Sequence, residues 1–89
     1  MKVIVTDEIS EKGLKLLQED SRVQLDVRVG LEKAELHQVI GDYDAIITRS
    51  GTQVDEELLK HAKKLKMVAR AGVGIDNVDV PAASERGII

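Results

Sequence analysis

The chain has 89 residues, a formal net charge of −3 at pH 7, no cysteine, no Trp, no Phe and a single Tyr43. Residues 1–89 are therefore read as one small domain that buries about 60–65% of its unfolded surface. The acidic balance gives no basic field for nucleic acid, and the missing aromatics remove the platforms on which bases would stack.

The absence of cysteine excludes a disulfide framework, a thiolate nucleophile and a cysteine-based metal site, and it suits a reducing cytosol. The opening apolar run is too short for a signal peptide, and no segment reaches transmembrane length. A soluble, cytoplasmic protein with no membrane partner is the expectation.

Lys2 to Val5 reads as a compact strand, left through the polar turn Thr6-Asp7-Glu8. Ser10 is placed to cap a helix whose apolar stripe, Ile9, Leu14, Leu16 and Leu17, runs to about residue 19. Val23, Leu25, Val27 and Val29 then alternate with Gln24, Asp26 and Arg28, the pattern of a half-exposed strand at a sheet edge, and Gly30 ends it. A second helix over residues 32–40 carries Leu36, Val39 and Ile40 on one face and stops at Gly41 as a C-terminal cap.

Ala45-Ile46-Ile47-Thr48 is a continuous apolar run typical of a buried central strand, followed by the loop Arg49-Ser50-Gly51-Thr52. Val54-Asp55-Glu56-Glu57-Leu58-Leu59 opens a third helix. Its early acids complement the helix dipole, and Lys60, Lys63 and Lys64 suit its far end. A fourth strand in Leu65-Lys66-Met67-Val68-Ala69, a helix over residues 80–86 and a fifth strand beginning at Ile88-Ile89 complete the order. Alternating strands and helices of this kind predict an α/β fold, a flavodoxin-like doubly wound parallel sheet of order 2-1-3-4-5 with the fifth strand truncated. Its ligand loops should lie at the C-terminal ends of the strands.

Two of those loops carry chemistry. Arg70-Ala71-Gly72-Val73-Gly74-Ile75-Asp76-Asn77 places an arginine at a strand end, then two glycines one residue apart that let the backbone approach a ligand and present N–H groups. Arg49 at the head of the earlier loop adds a second planar cation suited to carboxylate or phosphate. The glycines supply two of the three in a dinucleotide fingerprint, but Asn77 stands at the third, so the loop reads as an anion site and not as a nucleotide cradle.

The phrases Asp42-Tyr43-Asp44-Ala45-Ile46-Ile47-Thr48-Arg49-Ser50-Gly51-Thr52 and Arg70-Ala71-Gly72-Val73-Gly74-Ile75-Asp76-Asn77-Val78-Asp79 resemble signature loops of the D-3-phosphoglycerate dehydrogenases, within the NAD-dependent D-2-hydroxyacid dehydrogenase family. The opening Val3-Ile4-Val5-Thr6-Asp7 and the closing Ala82-Ala83-Ser84-Glu85-Arg86-Gly87-Ile88 fit the same pattern. The resemblance implies a substrate-binding domain fragment in which Arg49 and Arg70 meet the phosphate and carboxylate of the substrate. It further implies that Ser50 and Gly51 shape the first loop, and that Val73 and Gly74 lend backbone donors. It implies NAD as cofactor of the parent enzyme, a missing cofactor domain as partner and a role in serine biosynthesis.

The family's cofactor fingerprint and its catalytic arginine, glutamate and histidine have no counterpart here. The chain alone is thus expected to hold no catalytic, cofactor-binding or metal-binding residue and to be inactive. His37 and His61 read as solvated helix residues.

Rival readings stand beside these. Arg49 and Arg70 could pair with Asp7 or Asp44, and Asp76 and Asp79 read as neighbours of a helix start and not as cation ligands. A receiver-like signalling module would share the sheet and use Asp7 and Glu8 as its acidic pair, although Arg49 follows the third strand where a phospho-accepting aspartate belongs. A fragment with no activity is the third reading. A sheet ending on Ile88-Ile89 would leave an open edge, so a homodimer formed by edge pairing or by exchange of residues 80–89 is expected.

Overall fold

The computed structural model describes residues 1–49 and 51–70 together with Ala83 and Gly87. Four strands, β1 (Lys2–Val5), β2 (Gln24–Val27), β3 (Ala45–Thr48) and β4 (Met67–Arg70), form one sheet in the order β2-β1-β3-β4. Every pairing is parallel, with Val3 opposite both Leu25 and Ala45, and Ile46 opposite Val68. Three helices connect them: α1 (Glu11–Glu19), α2 (Lys33–Val39) and α3 (Glu56–His61). The α/β class and the order 2-1-3-4 are as the sequence predicts; of the helix expected over residues 80–86 only Ala83 is described, and it is helical and buried, while the fifth strand lies outside the described residues.

Successive residues of a strand point to opposite faces, so Ile4 and Ile46 share one side of the sheet and Val3, Val5 and Ala45 the other. On the first side Ile4 and Ile46 join Leu36 and Ile40 from the second helical region, and Val54, Leu58 and Leu59 around α3, in the main apolar cluster; Tyr43, Leu65 and Ala83 complete its margins. Fully burying one such aliphatic side chain is worth about 1.5–3 kcal/mol, which makes this cluster the main source of stability.

The N-terminal ends of the strands are stitched by the backbone. The N–H of Asp44 donates to the carbonyl of Lys2 at 2.8 Å, the N–H of Lys66 to that of Asp44 at 2.7 Å, and the N–H of Lys2 to Oδ2 of Asp44 at 2.8 Å. Asp44 therefore serves the backbone of Lys2.

Helix ends follow from local chemistry. Ser10 Oγ accepts the Gly13 N–H at 3.1 Å and starts α1 as predicted. Leu16, however, is 67% exposed and no residue of α1 is fully buried; α1 packs beside the edge strand β2 with Gly13, Leu14 and Leu17 partly buried. The edge strand itself stops at Val27, short of Val29, and Gly30 turns the chain at φ +85°.

Gly41 does not act as a left-handed cap. The chain tightens into a 3-10 turn over Ile40–Asp42, and a Cβ at Gly41 would stand 3.2 Å from the carbonyl oxygen of His61, a tight contact that a side chain could make only if that carbonyl moved by a few tenths of an ångström. Asp55 caps α3 by accepting the Leu58 N–H at 2.9 Å, which places buried Val54 before the helix; Lys63 and Lys64 lie beyond its end. No helix among the described residues is long and apolar enough to cross a membrane.

Candidate functional site

Parallel pairing brings the C-terminal ends of β1, β3 and β4 together. Thr48 is the register partner of Arg70, and Arg49 is the next residue after Thr48, so the two arginines leave neighbouring strands one step apart. Arg49 is exposed and Arg70 half-buried. Of the residues assigned to the anion site, Arg49, Gly51 and Arg70 are described and converge on this end of the sheet; Ser50, Val73 and Gly74 lie outside the described residues.

The loop after β3 is held by the residues after β1. Oδ2 of Asp7 accepts the N–H of Arg49 at 2.7 Å and that of Thr52 at 3.1 Å. The hydroxyls of Thr52 and Thr6 are 2.9 Å apart, and the Thr6 N–H donates to the Ile47 carbonyl at 3.1 Å. Nη1 of Arg49 donates to the Glu8 carbonyl at 3.4 Å. The sequence offers Asp7 as a partner for an arginine side chain, whereas these bonds give it two backbone amides. The signal that marks Asp7 and Thr52 is polar residues immediately after apolar strands, which alone does not say that they meet.

A shallow depression of about 460 Å³ opens here, lined by Asp7, Glu8, Val29, Arg49 and Gly51. A second depression of about 420 Å³ shares Asp7, Glu8 and Val29 and adds the apolar Ile9, Leu14 and Val27 with Glu11. Arginine and backbone amides suit an anion, and the carboxylates on the same rim restrict where the anion can lie. Among the described residues no group of three or more His, Asp or Glu could hold a metal ion.

Of the two histidines, His61 is exposed as expected, whereas His37 is half-buried. The rings of His37 on α2 and His61 on α3 stack with centroids 4.8 Å apart and planes at 22°, and Nε2 of His37 is buried without a hydrogen-bond partner. They lie on a separate depression with Gln38, Gly41, Asp42, Lys63 and Lys64, away from the strand ends.

Residues 3–89 match the model of the D-isomer specific 2-hydroxyacid dehydrogenase family, catalytic domain. The chain belongs to that family. This is the family that the two loops resemble. A relative named D-3-phosphoglycerate dehydrogenase from Methanocaldococcus jannaschii is 47% identical over 89 residues, covering 100% of this chain and 17% of the relative.

Among solved structures, a Pyrococcus horikoshii protein superposes with a TM-score of 0.90 at 31% identity over 98% of this chain and 26% of its own. The NAD⁺-bound 3-phosphoglycerate dehydrogenase of Entamoeba histolytica gives a TM-score of 0.86 at 30% identity over 99% of this chain and 31% of its own. The chain spans about one-sixth of the length of the curated dehydrogenases it matches. The dehydrogenase family, together with β3 running into Thr48-Arg49, excludes the receiver-like reading.

Proposed function

We propose that the chain is the substrate-binding part of an NAD-dependent D-2-hydroxyacid dehydrogenase that oxidises D-3-phosphoglycerate, a cytoplasmic step toward serine. The observation that carries the reading is the convergence of Arg49 and Arg70 at adjacent strand ends in a chain 47% identical to a relative of that name. Arg49 and Arg70 bind the phosphate and carboxylate, Ser50 and Gly51 form the first loop, and backbone donors of Val73 and Gly74 hold the carboxylate.

NAD supplies the hydride acceptor in such an enzyme. The first strand-to-helix turn, where a nucleotide-binding sheet places its glycine-rich loop, is here Thr6-Asp7-Glu8. Its two carboxylates line the depression beside Arg49 and do not fit a diphosphate. NAD therefore belongs to a cofactor domain that partners this one across a cleft, and the residues of this chain bind and orient substrate without taking a proton or a hydride. Self-association is part of the proposal, by pairing of the sheet edge beyond β4 or by exchange of residues 80–89 between two copies. Sedimentation at several concentrations tests it.

The decisive experiment joins this chain to its cofactor domain and compares 3-phosphoglycerate with D-lactate. The expected outcome is a preference for the phosphorylated acid that collapses in R49A and R70A through KM, by about 1.5–3 kcal/mol per lost charged bond. Equal use of both acids, or variants with unaltered KM, would refute the assignment.

A further inference from the structure

We propose that Asp7 is a positioning residue whose carboxylate sets the path of the loop 49–52 and so the aim of the anion-binding groups, an inference that rests on the substrate-binding reading of that loop. The two amides that Asp7 Oδ2 accepts, from Arg49 and Thr52, are three residues apart in the chain. Converging on one oxygen, they close the loop around it, and the contact between the Thr52 and Thr6 hydroxyls fixes the same turn from its far side. Thr6 is itself held to β3 through Ile47, so the dipeptide following β1 is a rigid template for the loop following β3.

Gly51 fits this role. Its φ is not in the left-handed region, so glycine is not required for backbone freedom. A Cβ at Gly51 would instead lie 2.6 Å from Oδ1 of Asp7, closer than real Cβ atoms come, so a side chain there would make the carboxylate swing away from the position in which it accepts the two amides. Asp7 and Gly51 thus act as a pair, one supplying the acceptor and the other the space.

The charge of Asp7 works against the anion that the loop receives. A carboxylate on the rim of the Arg49 depression repels phosphate, and the two N–H groups only partly offset it. What the loop needs from Asp7 is an acceptor oxygen in place, which an asparagine also supplies and an alanine does not. Binding by the neutral isostere should therefore equal or exceed that of the parent chain, a result that a purely charge-based role does not produce.

The test uses the isotope-labelled 89-residue chain with D7A, D7N and G51A, following amide exchange and titrating with inorganic phosphate and with 3-phosphoglycerate. In D7A, exchange at Arg49 and Thr52 accelerates about tenfold or more while Ile4 and Ile46 are unchanged; D7N stays within about threefold of the parent chain. G51A accelerates the same two amides. Anion-induced shifts over residues 49–52 are lost in D7A and G51A and kept in D7N.

Unchanged exchange at Arg49 and Thr52 in D7A, acceleration spread equally over the core strands, or a D7N as impaired as D7A would overturn the inference. If no variant and not the parent chain responds to either anion, the substrate-binding reading fails, and with it the aim assigned to Asp7, while the exchange rates alone still decide whether Asp7 anchors the loop.

Discussion

The hydroxyl of Tyr43 donates a 2.6 Å hydrogen bond to Oδ2 of Asp26, tying the turn that enters β3 to the edge strand β2 across β1. The tyrosine is 5% exposed, and the ammonium of Lys2 lies 5.2 Å from its ring centroid. Replacement by Phe keeps the packing and strips Asp26 of a donor in a partly buried setting. Y43F is expected to cost about 1–2 kcal/mol in urea denaturation; a change under about 0.3 kcal/mol, within the scatter of a neutral surface substitution, would show that Asp26 is satisfied without it.

Burial first, and the bond to Asp26 second, push the Tyr43 phenol above its ordinary value of 10.0. The folded pKa is raised, so the stability it contributes is complete below the unfolded pKa and is lost as pH rises through the folded one. Tyr43 is the single tyrosine, and there is no tryptophan, so its ultraviolet ionisation signal is unambiguous. Spectrophotometric titration should show a midpoint above that of unfolded chain, with stability falling only on the alkaline side.

Acid titration reads a different group. The Arg22 guanidinium, with its backbone N–H, holds the Asp20 carboxyl down at about 2, against an ordinary 3.8. Because the folded value is depressed, the linked stability is present above about 3.8 and disappears as pH falls through about 2. Asp20 should titrate near 2 by carbonyl-carbon NMR and return toward 3.8 in R22A. A midpoint unmoved by R22A would assign the shift elsewhere.

Thr48 is fully buried, and its Oγ1 has no hydrogen-bond partner. An unpaired buried hydroxyl costs about 1–3 kcal/mol, and valine has nearly the same shape. T48V should raise the stability of the chain by about 1 kcal/mol, with the denaturant slope unchanged. Destabilisation instead would reveal a partner for the hydroxyl in solution.

At the start of α3 two changes should separate capping from charge. Burial tends to raise the Asp55 carboxyl, but the Leu58 N–H and the Lys33 ammonium outweigh it and hold it below its ordinary value. Lys33 reaches Asp55 at 3.3 Å and Glu57 at 3.2 Å with its side chain 59% exposed. D55A should cost about 1 kcal/mol as a lost N-cap. K33A should cost less than D55A and lose its effect in high salt. Equal, salt-independent costs would contradict this division.

The strands were legible because each is a short apolar run bounded by turn residues, and the alternation of Gln24, Leu25, Asp26 and Val27 marked the edge correctly. Ser10 and Asp55 act at their helix starts through bonds to residues three positions on, which a local pattern records. Gly41 was misread because its need for space comes from the His61 carbonyl on another element. Leu16 reads as part of an apolar stripe, yet on α1 beside the edge strand it is 67% exposed. The loop proposed to bind an anion was legible only in part. Arginines at strand ends announce themselves, but the bonds of Asp7 span 42 and 45 positions, and no window on the sequence shows them.

β1 has consequences for the order of folding. It lies between β2 and β3, meeting Gln24 through Lys2 and Ala45 through Val3, so this strand joins both neighbours only after the residues up to Ile47 have followed it. Closing the longer of these loops costs only about 0.6 kcal/mol more than closing the shorter, but neither contact is local, and the sheet cannot grow outward from a hairpin. Until β3 arrives, Val3, Ile4 and Val5 form an apolar strand with an open edge, the species most prone to pair with another chain. Aggregation of this protein should therefore be decided during refolding, and a permuted chain that begins at Leu31 and carries β1 between β4 and β2 would move the hazard to a different strand.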